Sequence, residues 1–301
     1  MINTGLVLLI AVTTICPQTR ANWRTSKKVA EIQKRLVSEI HLNRDGSVLA
    51  SASRTEKTAV VWDTASGKKL RDLACPESLV HLAISPDGSQ IAATASDGSV
   101  RAWDISSGKE LWARKSDAWD LCYAADGKTL VIARDSVRVL NALTGEVKKE
   151  VKELCDAVAI DPTGKYLVGT DQGDSKDVSV WNLAESKVER KLYGIGAGHQ
   201  YVFSAAGHLA SKTSDDVEIE NFETDESLRI VTCNCFAFSA DGKLVLLGTE
   251  DGKVSLQPPN KEREFAAITV GSPVNEVCIS GDSKRIAAAT DDGISIWAPQ
   301  E

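Results

Sequence analysis

The sequence predicts an all-β protein, a seven-bladed β-propeller with four antiparallel strands in each blade. Three observations predict it: a repeat of about forty residues, short apolar runs of strand length inside each repeat, and a last repeat that lacks one strand. A fixed period of 20–50 residues is typical of solenoids, propellers and arrays. Four strands in about forty residues fit a propeller blade.

The repeat is marked by a small turn, most often Asp-Gly, that separates two apolar runs. The second residues of this turn lie 35–43 residues apart and are Gly46, Gly88, Gly127, Gly164, Gly207, Gly242 and Ser283. A second mark, sometimes Trp-Asp, closes each copy. Its members are Trp62-Asp63, Trp103-Asp104, Leu140-Asn141, Trp181-Asn182, Glu220-Asn221, Gln257-Pro258 and Trp297-Ala298. Two independent marks therefore give the same seven copies.

The runs inside one copy have the length and composition of strands. In the second copy they are Leu79–Ser85, Gln90–Ala95, Ser99–Trp103 and Glu110–Ala113. Short runs of Val, Ile, Leu and Ala between Gly, Asp and Ser predict strands rather than helices. Asp-Gly predicts a tight hairpin, because both residues tolerate the positive φ angles of such a turn.

The chain after residue 22 resembles the WD-repeat family of β-propellers. Trp62-Asp63 and Trp103-Asp104 match the family dipeptide, and Trp181-Asn182 nearly matches it. The turns Asp97-Gly98, Asp251-Gly252 and Asp292-Gly293 match the family hairpin between the second and third strands. Gly198-His199 is the one candidate for the Gly-His pair that opens many family repeats, so we expect the hydrogen-bond tetrad built on that histidine to be incomplete in most blades. The Trp residues of the repeat are expected to pack between neighbouring blades.

The last copy supplies only three strands, Val274–Ile279, Lys284–Ala289 and Ile294–Trp297. The resemblance implies that an N-terminal strand completes this blade, and we expect residues near 27–35 to pair with Ile294–Trp297. An unclosed ring would leave unpaired strand edges. The alternative is a short solvated helix over residues 28–35.

The N-terminal segment is interpreted as a signal peptide over residues 1–21, followed by a single propeller over residues 22–301. An apolar run from Gly5 to Cys16 precedes a cleavage motif that ends at Ala21. The run is too short to span a membrane as a helix. If residues 1–21 are a signal peptide, we expect export to the periplasm or the exterior. If they are not, we expect a cytoplasmic protein. A membrane tether, a lipid anchor at Cys16 and a misassigned start codon stay open as alternatives.

Composition argues against a nucleic-acid binder, because 35 basic and 42 acidic residues give a net charge of −7. The cysteines are interpreted as core residues. Cys122 and Cys278 share one position of the first strand, and Cys155 and Cys233 share another. Oxidation in an exported chain is the alternative.

The residues indicate no catalytic centre. The four His are scattered, and no nucleophile elbow, phosphate loop, HExxH or C-x-x-C segment occurs. We therefore expect no catalytic residue, no metal and no cofactor. A monomeric propeller that acts as a non-catalytic protein–protein interaction scaffold is the leading hypothesis. A propeller enzyme or small-ligand binder of the lactonase or quinoprotein kind, with its site at the central channel, is the alternative.

A partner site is predicted on the top rim, where the first strand of each copy begins near the ring axis. Two residues there interrupt the apolar pattern, and we expect both to face solvent. The resemblance to WD-repeat proteins implies that partners bind this rim and the neighbouring second hairpins. The predicted contact residues are Glu39, His81, Trp119, Asp120, Arg134, Asp156, His199, Asn275 and Glu276. Glu250 and Asp291 add to an acidic face that favours a basic partner. Trp119 is the suggested hot spot, with a plug in the ring's own channel as the alternative.

Overall fold

A computed structural model describes residues 23, 25–33, 37–152, 155–171, 178–185, 187–192, 200–204, 206–212, 216–224, 226–260 and 264–300. Within them, 28 strands form seven four-stranded antiparallel sheets. The prediction of seven blades with four strands each is confirmed. The interpretation of residues 1–21 as a signal peptide lies outside the described residues.

Blades 1 to 6 each use four consecutive strands. Blade 1 contains β2 (Glu39–Leu42), β3 (Val48–Ala52), β4 (Thr58–Asp63) and β5 (Lys69–Ala74). Blade 2 contains β6 (Leu79–Ile84), β7 (Gln90–Ala95), β8 (Ser99–Asp104) and β9 (Glu110–Lys115). Blade 3 contains β10 (Ala118–Tyr123), β11 (Thr129–Arg134), β12 (Val137–Asn141) and β13 (Val147–Val151).

The second half of the ring repeats this order. Blade 4 contains β14 (Cys155–Ile160), β15 (Tyr166–Asp171), β16 (Val178–Asn182) and β17 (Lys187–Leu192). Blade 5 contains β18 (Gln200–Phe203), β19 (His208–Lys212), β20 (Asp216–Asn221) and β21 (Glu226–Thr232). Blade 6 contains β22 (Cys235–Phe238), β23 (Val245–Gly248), β24 (Lys253–Gln257) and β25 (Ala266–Thr269).

Blade 7 joins the two ends of the chain. It contains β26 (Val274–Ile279), β27 (Ile286–Thr290), β28 (Gly293–Pro299) and, on the outside, β1 (Ser26–Ile32). β1 pairs with β28 through Ile32 opposite Ile294 and Lys28 opposite Trp297. The predicted closure is confirmed, with the strand ending at residue 32 rather than near 35. The helix alternative is wrong for Ser26–Ile32.

The turns of the repeat have the predicted conformation. The glycines at this position have φ between 65° and 78°, which an L side chain seldom adopts, and Ser283 replaces glycine with φ 57°. They are Gly46, Gly88, Gly127, Gly164, Gly207 and Gly242.

The core lies between the blades. Each of the seven apolar clusters combines residues of two adjacent blades, for example Leu73 of blade 1 with Ile91 and Trp103 of blade 2. Trp181 packs in the cluster of blades 3 and 4, and Trp297 in that of blades 6 and 7. Trp62 lies against the cluster of blades 7 and 1. The expected inter-blade packing of these Trp residues is confirmed.

The family hydrogen-bond network differs between blades. Trp62 Nε1 donates to Ser51 Oγ at 2.8 Å in blade 1. In blade 4, Gly169 replaces that serine, and buried Trp181 Nε1 has no partner among the described residues. A Cβ added at Gly169 would overlap the Sγ atom of Cys155. The cysteine therefore occupies the space that a serine would need.

No disulfide joins the six cysteines that lie among the described residues. Cys155, Cys233 and Cys278 are buried and Cys122 is half-buried, as expected for core positions. Asn234 and Cys235 are the two residues that interrupt the apolar pattern in the sixth copy, where the sequence predicts exposure to solvent, but Cys235 is buried. Its Sγ lies against β23, since a Cβ added at Gly248 would approach it to 2.6 Å.

Candidate functional site

The innermost strands carry the predicted site residues, and four of these strands contain a β-bulge near their first residue. The register shifts lie at Leu79/His81 in β6, Ala118/Asp120 in β10, Cys155/Val158 in β14 and Val274/Glu276 in β26. A bulge leaves one residue unpaired and re-aims its neighbours. Blade 1 differs, because β2 pairs with β3 in regular register from Glu39 onward.

Backbone amides just after these bulges donate to carboxylates. Glu39 of blade 1 accepts from Leu82 N of blade 2 at 2.7 Å. Asp120 of blade 3 accepts from Val158 N of blade 4 at 2.8 Å and from its own neighbour Leu121 N at 2.8 Å. Each innermost strand is an edge strand, so an amide on its open side needs an acceptor from outside its own sheet. These carboxylates therefore tie neighbouring blades together.

Glu276 occupies the same position in blade 7 but makes a different contact. Its Oε1 accepts from Val277 N of its own strand at 3.2 Å. Burial, and then the nearby charge of Glu39, raise the pKa of Glu276 to about 8. Burial likewise raises the pKa of Asp120 above its ordinary value. The channel therefore holds carboxyl groups that are protonated more readily than exposed ones.

His81 forms an ion pair with Glu39 across the seam of blades 1 and 2. The Nδ1 atom lies 2.6 Å from Glu39 Oε1. Burial alone would lower the pKa of His81, but the hydrogen bond and charge of Glu39, with the charge of Asp120, outweigh it, and the pKa is raised. His81 therefore carries its proton to higher pH than an exposed imidazole.

The expected solvent exposure of these four residues is corrected. Glu39 is only 8% exposed, so its predicted position facing solvent is wrong. His81, Asp120 and Glu276 are half-buried. The reason is that these four side chains point toward the neighbouring blade and the channel, where they meet backbone amides and other ionisable groups.

Trp119 and Arg134 do stand on the rim. The Trp119 side chain is 43% exposed, and the Arg134 guanidinium lies 5.1 Å from its ring centroid. Arg134 ends the second strand of the same blade, so the indole leans over its own blade rather than across the channel. Thr94 of blade 2 donates to the Trp119 carbonyl at 3.0 Å and holds the backbone in place. This geometry favours a rim position over a channel plug.

The remaining predicted residues divide into described and undescribed ones. Asn275 is exposed, and its Nδ2 donates to Asp291 Oδ1 at 2.8 Å. Asp156 lies in β14, but its side chain lies outside the described part of the molecule, as does the whole of His199.

An open pocket of about 490 Å³ lies on the rim where blades 6, 7 and 1 meet. Its lining comes from the starts of the innermost strands and from the second hairpins. The lining residues are Val37, Ser38, Ser53, Arg54, Thr55, Asn234, Val274, Asn275 and Asp291. Sequence reasoning missed Arg54. Its signal is the hairpin between β3 and β4, which spans residues 53–57, whereas the corresponding hairpin of blade 2 spans residues 96–98.

The exposed charges of the rim lie on the second hairpins. The exposed acidic residues there are Glu56, Asp97, Asp135, Glu250, Asp251, Asp291 and Asp292. Exposed Arg54 and Lys57 and half-buried Arg134 are the basic residues of these hairpins among the described positions, and Lys57 pairs with Glu77. The acidic character of the rim thus comes from the hairpins, while the strand carboxylates point inward.

In the part of the chain that the structure describes, no three His, Cys, Asp or Glu side chains are arranged to hold a metal ion. A search of the same residues finds no helix with the length and apolar character needed to cross a membrane.

Curated relatives of the chain are WD-repeat proteins, which are generally protein-interaction scaffolds. A guanine nucleotide-binding protein subunit beta-like protein of Encephalitozoon cuniculi is 23% identical over 83% of this chain and 76% of its own length. THO complex subunit 3 of Arabidopsis thaliana is 23% identical over 68% of this chain and 72% of its own length. Human apoptotic protease-activating factor 1 is 29% identical over 87% of this chain, which spans only 23% of that protein.

A protein-family model described as outer membrane protein assembly factor BamB matches residues 12–185, more than half of the chain. The chain belongs to that family. Its seven blades are of the WD-repeat type, so the resemblance drawn from the Trp-Asp marks is confirmed. In this WD-repeat propeller Glu39 and Asp120 connect neighbouring blades near the axis, and Trp119 is exposed on the rim.

Proposed function

We propose that the chain is a non-catalytic scaffold that binds a protein or peptide partner on the top rim. The exposed Trp119, stacked on Arg134, carries this proposal, because exposed Trp and Arg side chains are common binding hot spots. The axial carboxylates and histidine, which could have favoured a propeller enzyme, are engaged instead. Glu39 caps the Leu82 amide and pairs with His81, and Asp120 caps two amides.

The charge of the rim supports a partner with basic groups. The chain has a net charge of −7, and the exposed hairpin residues are mostly acidic. Complementary charge steers association and rejects partners of like charge, which disfavours nucleic acid. We further propose a monomer, because one chain supplies all seven blades and closes its own ring.

The proposal is tested by affinity capture from the native host with a double variant, Trp119→Ala with Arg134→Ala. Leu143→Ala is the matched control, because Leu143 is 59% exposed in a turn at the opposite end of its blade. We expect the double variant to lose at least tenfold of the captured partner and the control to retain it. Unchanged capture by the double variant would overturn the rim site. A small molecule that copurifies and is retained by all variants would support the channel-ligand alternative instead.

We also propose that the chain is exported after cleavage behind Ala21. The description of the matched family names an outer-membrane assembly factor, which supports a location outside the cytoplasm. N-terminal sequencing of the protein from its native host is expected to begin at Asn22. A sequence that begins at Met1 would contradict cleavage.

A further inference from the structure

The pocket between blades 6, 7 and 1 has two walls of opposite hydrogen-bonding character. Its volume of about 490 Å³ lies within the range of pockets that bind small ligands or single side chains. Blades 6 and 7 form one wall through Asn234, Asn275 and Asp291, and blade 1 forms the other through Ser38 and Arg54.

The wall of blades 6 and 7 offers acceptors. Asn234 Nδ2 donates to Glu250 Oε2 at 2.8 Å, and Asn275 Nδ2 donates to Asp291 Oδ1 at 2.8 Å. Asn234 Nδ2 also donates to the Val274 carbonyl at 3.4 Å, so Asn234 uses both N–H groups within the rim and Asn275 uses one. Among the described residues, the oxygens of both amides and the second oxygen of each carboxylate receive no donor, so this wall presents oxygen atoms and negative charge.

The wall of blade 1 offers a cation. The Arg54 backbone is fixed, because its N–H donates to Ser38 Oγ at 3.2 Å and the next hydroxyl, Thr55 Oγ1, bonds Ser53 Oγ at 2.9 Å. The exposed Arg54 guanidinium has no acceptor among the residues that the structure describes. A guanidinium presents five N–H donors, and its geometry matches a carboxylate.

We infer that this pocket binds an extended peptide segment in which an acidic residue stands directly beside a basic one. Neighbouring side chains of an extended chain point to opposite sides. One acidic residue thus meets Arg54 while the adjacent Lys or Arg meets Asp291. The inference rests on the proposed function, since it specifies which partner segment the rim selects. It also narrows the expectation of a basic partner to a segment with paired opposite charges.

The test measures binding of fluorescent, end-capped hexapeptides with Gly flanks and a central Glu-Lys, Glu-Gln, Gln-Lys or Lys-Lys pair. Wild-type protein is expected to bind the Glu-Lys peptide about threefold to tenfold more tightly than the three others, because partly exposed ion pairs contribute modestly. Arg54→Gln should remove the preference for Glu over Gln, and Asp291→Asn the preference for Lys over Gln. Arg44→Gln, an exposed arginine in the turn between β2 and β3 at the opposite end of blade 1, is the matched control and should retain both preferences.

Several outcomes would overturn the inference. They are tighter binding of Lys-Lys than of Glu-Lys, equal weakening of all peptides by Arg54→Gln, absence of binding at millimolar peptide, and equal binding of the free Glu-Lys dipeptide, which would indicate a small zwitterion. Thermal melts of every variant confirm folding.

Partner capture separates the two proposals. Loss of capture in the Trp119 and Arg134 variant with no peptide discrimination would reject this pocket and keep the scaffold, whereas unchanged capture in that variant would reject the rim site itself.

Discussion

The seam between blades 1 and 2 and the seam between blades 7 and 1 use equivalent positions but are built differently. At the first seam, Glu39 reaches across to the Leu82 amide and to His81. At the second, Glu276 bonds only within its own strand among the described residues, and an open pocket lies on the rim nearby. At the seam with blade 7, blade 1 presents β2, which pairs with β3 in regular register. At the seam with blade 1, blade 2 presents β6, which has a β-bulge just before the Leu82 amide that donates to Glu39. One seam is specialised for cohesion, and the other leaves polar groups available.

The largest expected loss of stability comes from removing apolar side chains that pack at the two seams. Ile32→Ala removes a buried side chain of the closing strand, and Leu73→Ala removes its counterpart on the outer strand of blade 1. Each should lower the free energy of unfolding by about 2–5 kcal/mol. Because β1 is far in sequence from β28, only Ile32→Ala should also speed hydrogen exchange of β28 amides. Urea denaturation and exchange measurements check this, and equal exchange of β28 in both variants would contradict it.

Glu39→Ala tests the polar contacts between blades 1 and 2. The change leaves the Leu82 amide and His81 without their carboxylate, and we expect a loss of about 1.5–3 kcal/mol in unfolding free energy. Glu39→Gln keeps an acceptor oxygen and should cost less. Glu276→Ala removes a carboxyl that bridges to no other blade and should cost the least of the three. Urea midpoints measured at pH 7 decide the order, and a larger cost for Glu276→Ala would reverse our assignment of the two seams.

A third prediction extends the comparison to the seam between blades 3 and 4. Gly169→Ser should destabilise by about 1–3 kcal/mol, because the new Cβ overlaps Cys155 Sγ. Adding Cys155→Ala opens that space and allows the serine to accept from Trp181 Nε1, as Ser51 accepts from Trp62 in blade 1. The double variant should therefore recover most of the lost stability. If the two changes are simply additive in thermal melts, the proposed exchange of sulfur for a hydroxyl is wrong.

The smallest effect is a dependence on pH. His81, Asp120 and Glu276 have raised pKa values in the folded chain, so between the unfolded and folded values the folded chain holds more protons. Their contribution to stability is complete below the unfolded values and is lost as pH rises, for Glu276 between about 4.5 and about 8. Glu276→Gln imitates the neutral acid and should raise stability at pH 9 with little change near pH 4. An equal shift at both pH values would exclude this titration.

The repeat predicts the ring well because blade number and closure depend on period and strand count. The repeated small turns place the first hairpin of each blade, and the missing strand of the last copy is supplied by Ser26–Ile32. The candidate site is predicted less well because strand periodicity does not reveal bulges or the neighbour that a side chain meets. Glu39 and Trp119 both interrupt an apolar pattern, yet one is buried under the next blade and the other is exposed. The sequence could have indicated Arg54, because its hairpin is longer than the equivalent hairpin of the next copy.

Ring closure also sets a waiting time during synthesis. β1 cannot find its partner until β28 has been made, more than 260 residues later, which takes on the order of 10–60 s at ordinary rates of translation. Throughout that interval the strand is an unpaired edge of the kind that invites aggregation. Lys27, Lys28 and Glu31 lie among its apolar residues and remain exposed after closure. These charges keep the first-made strand soluble while the nascent chain still lacks the last blade.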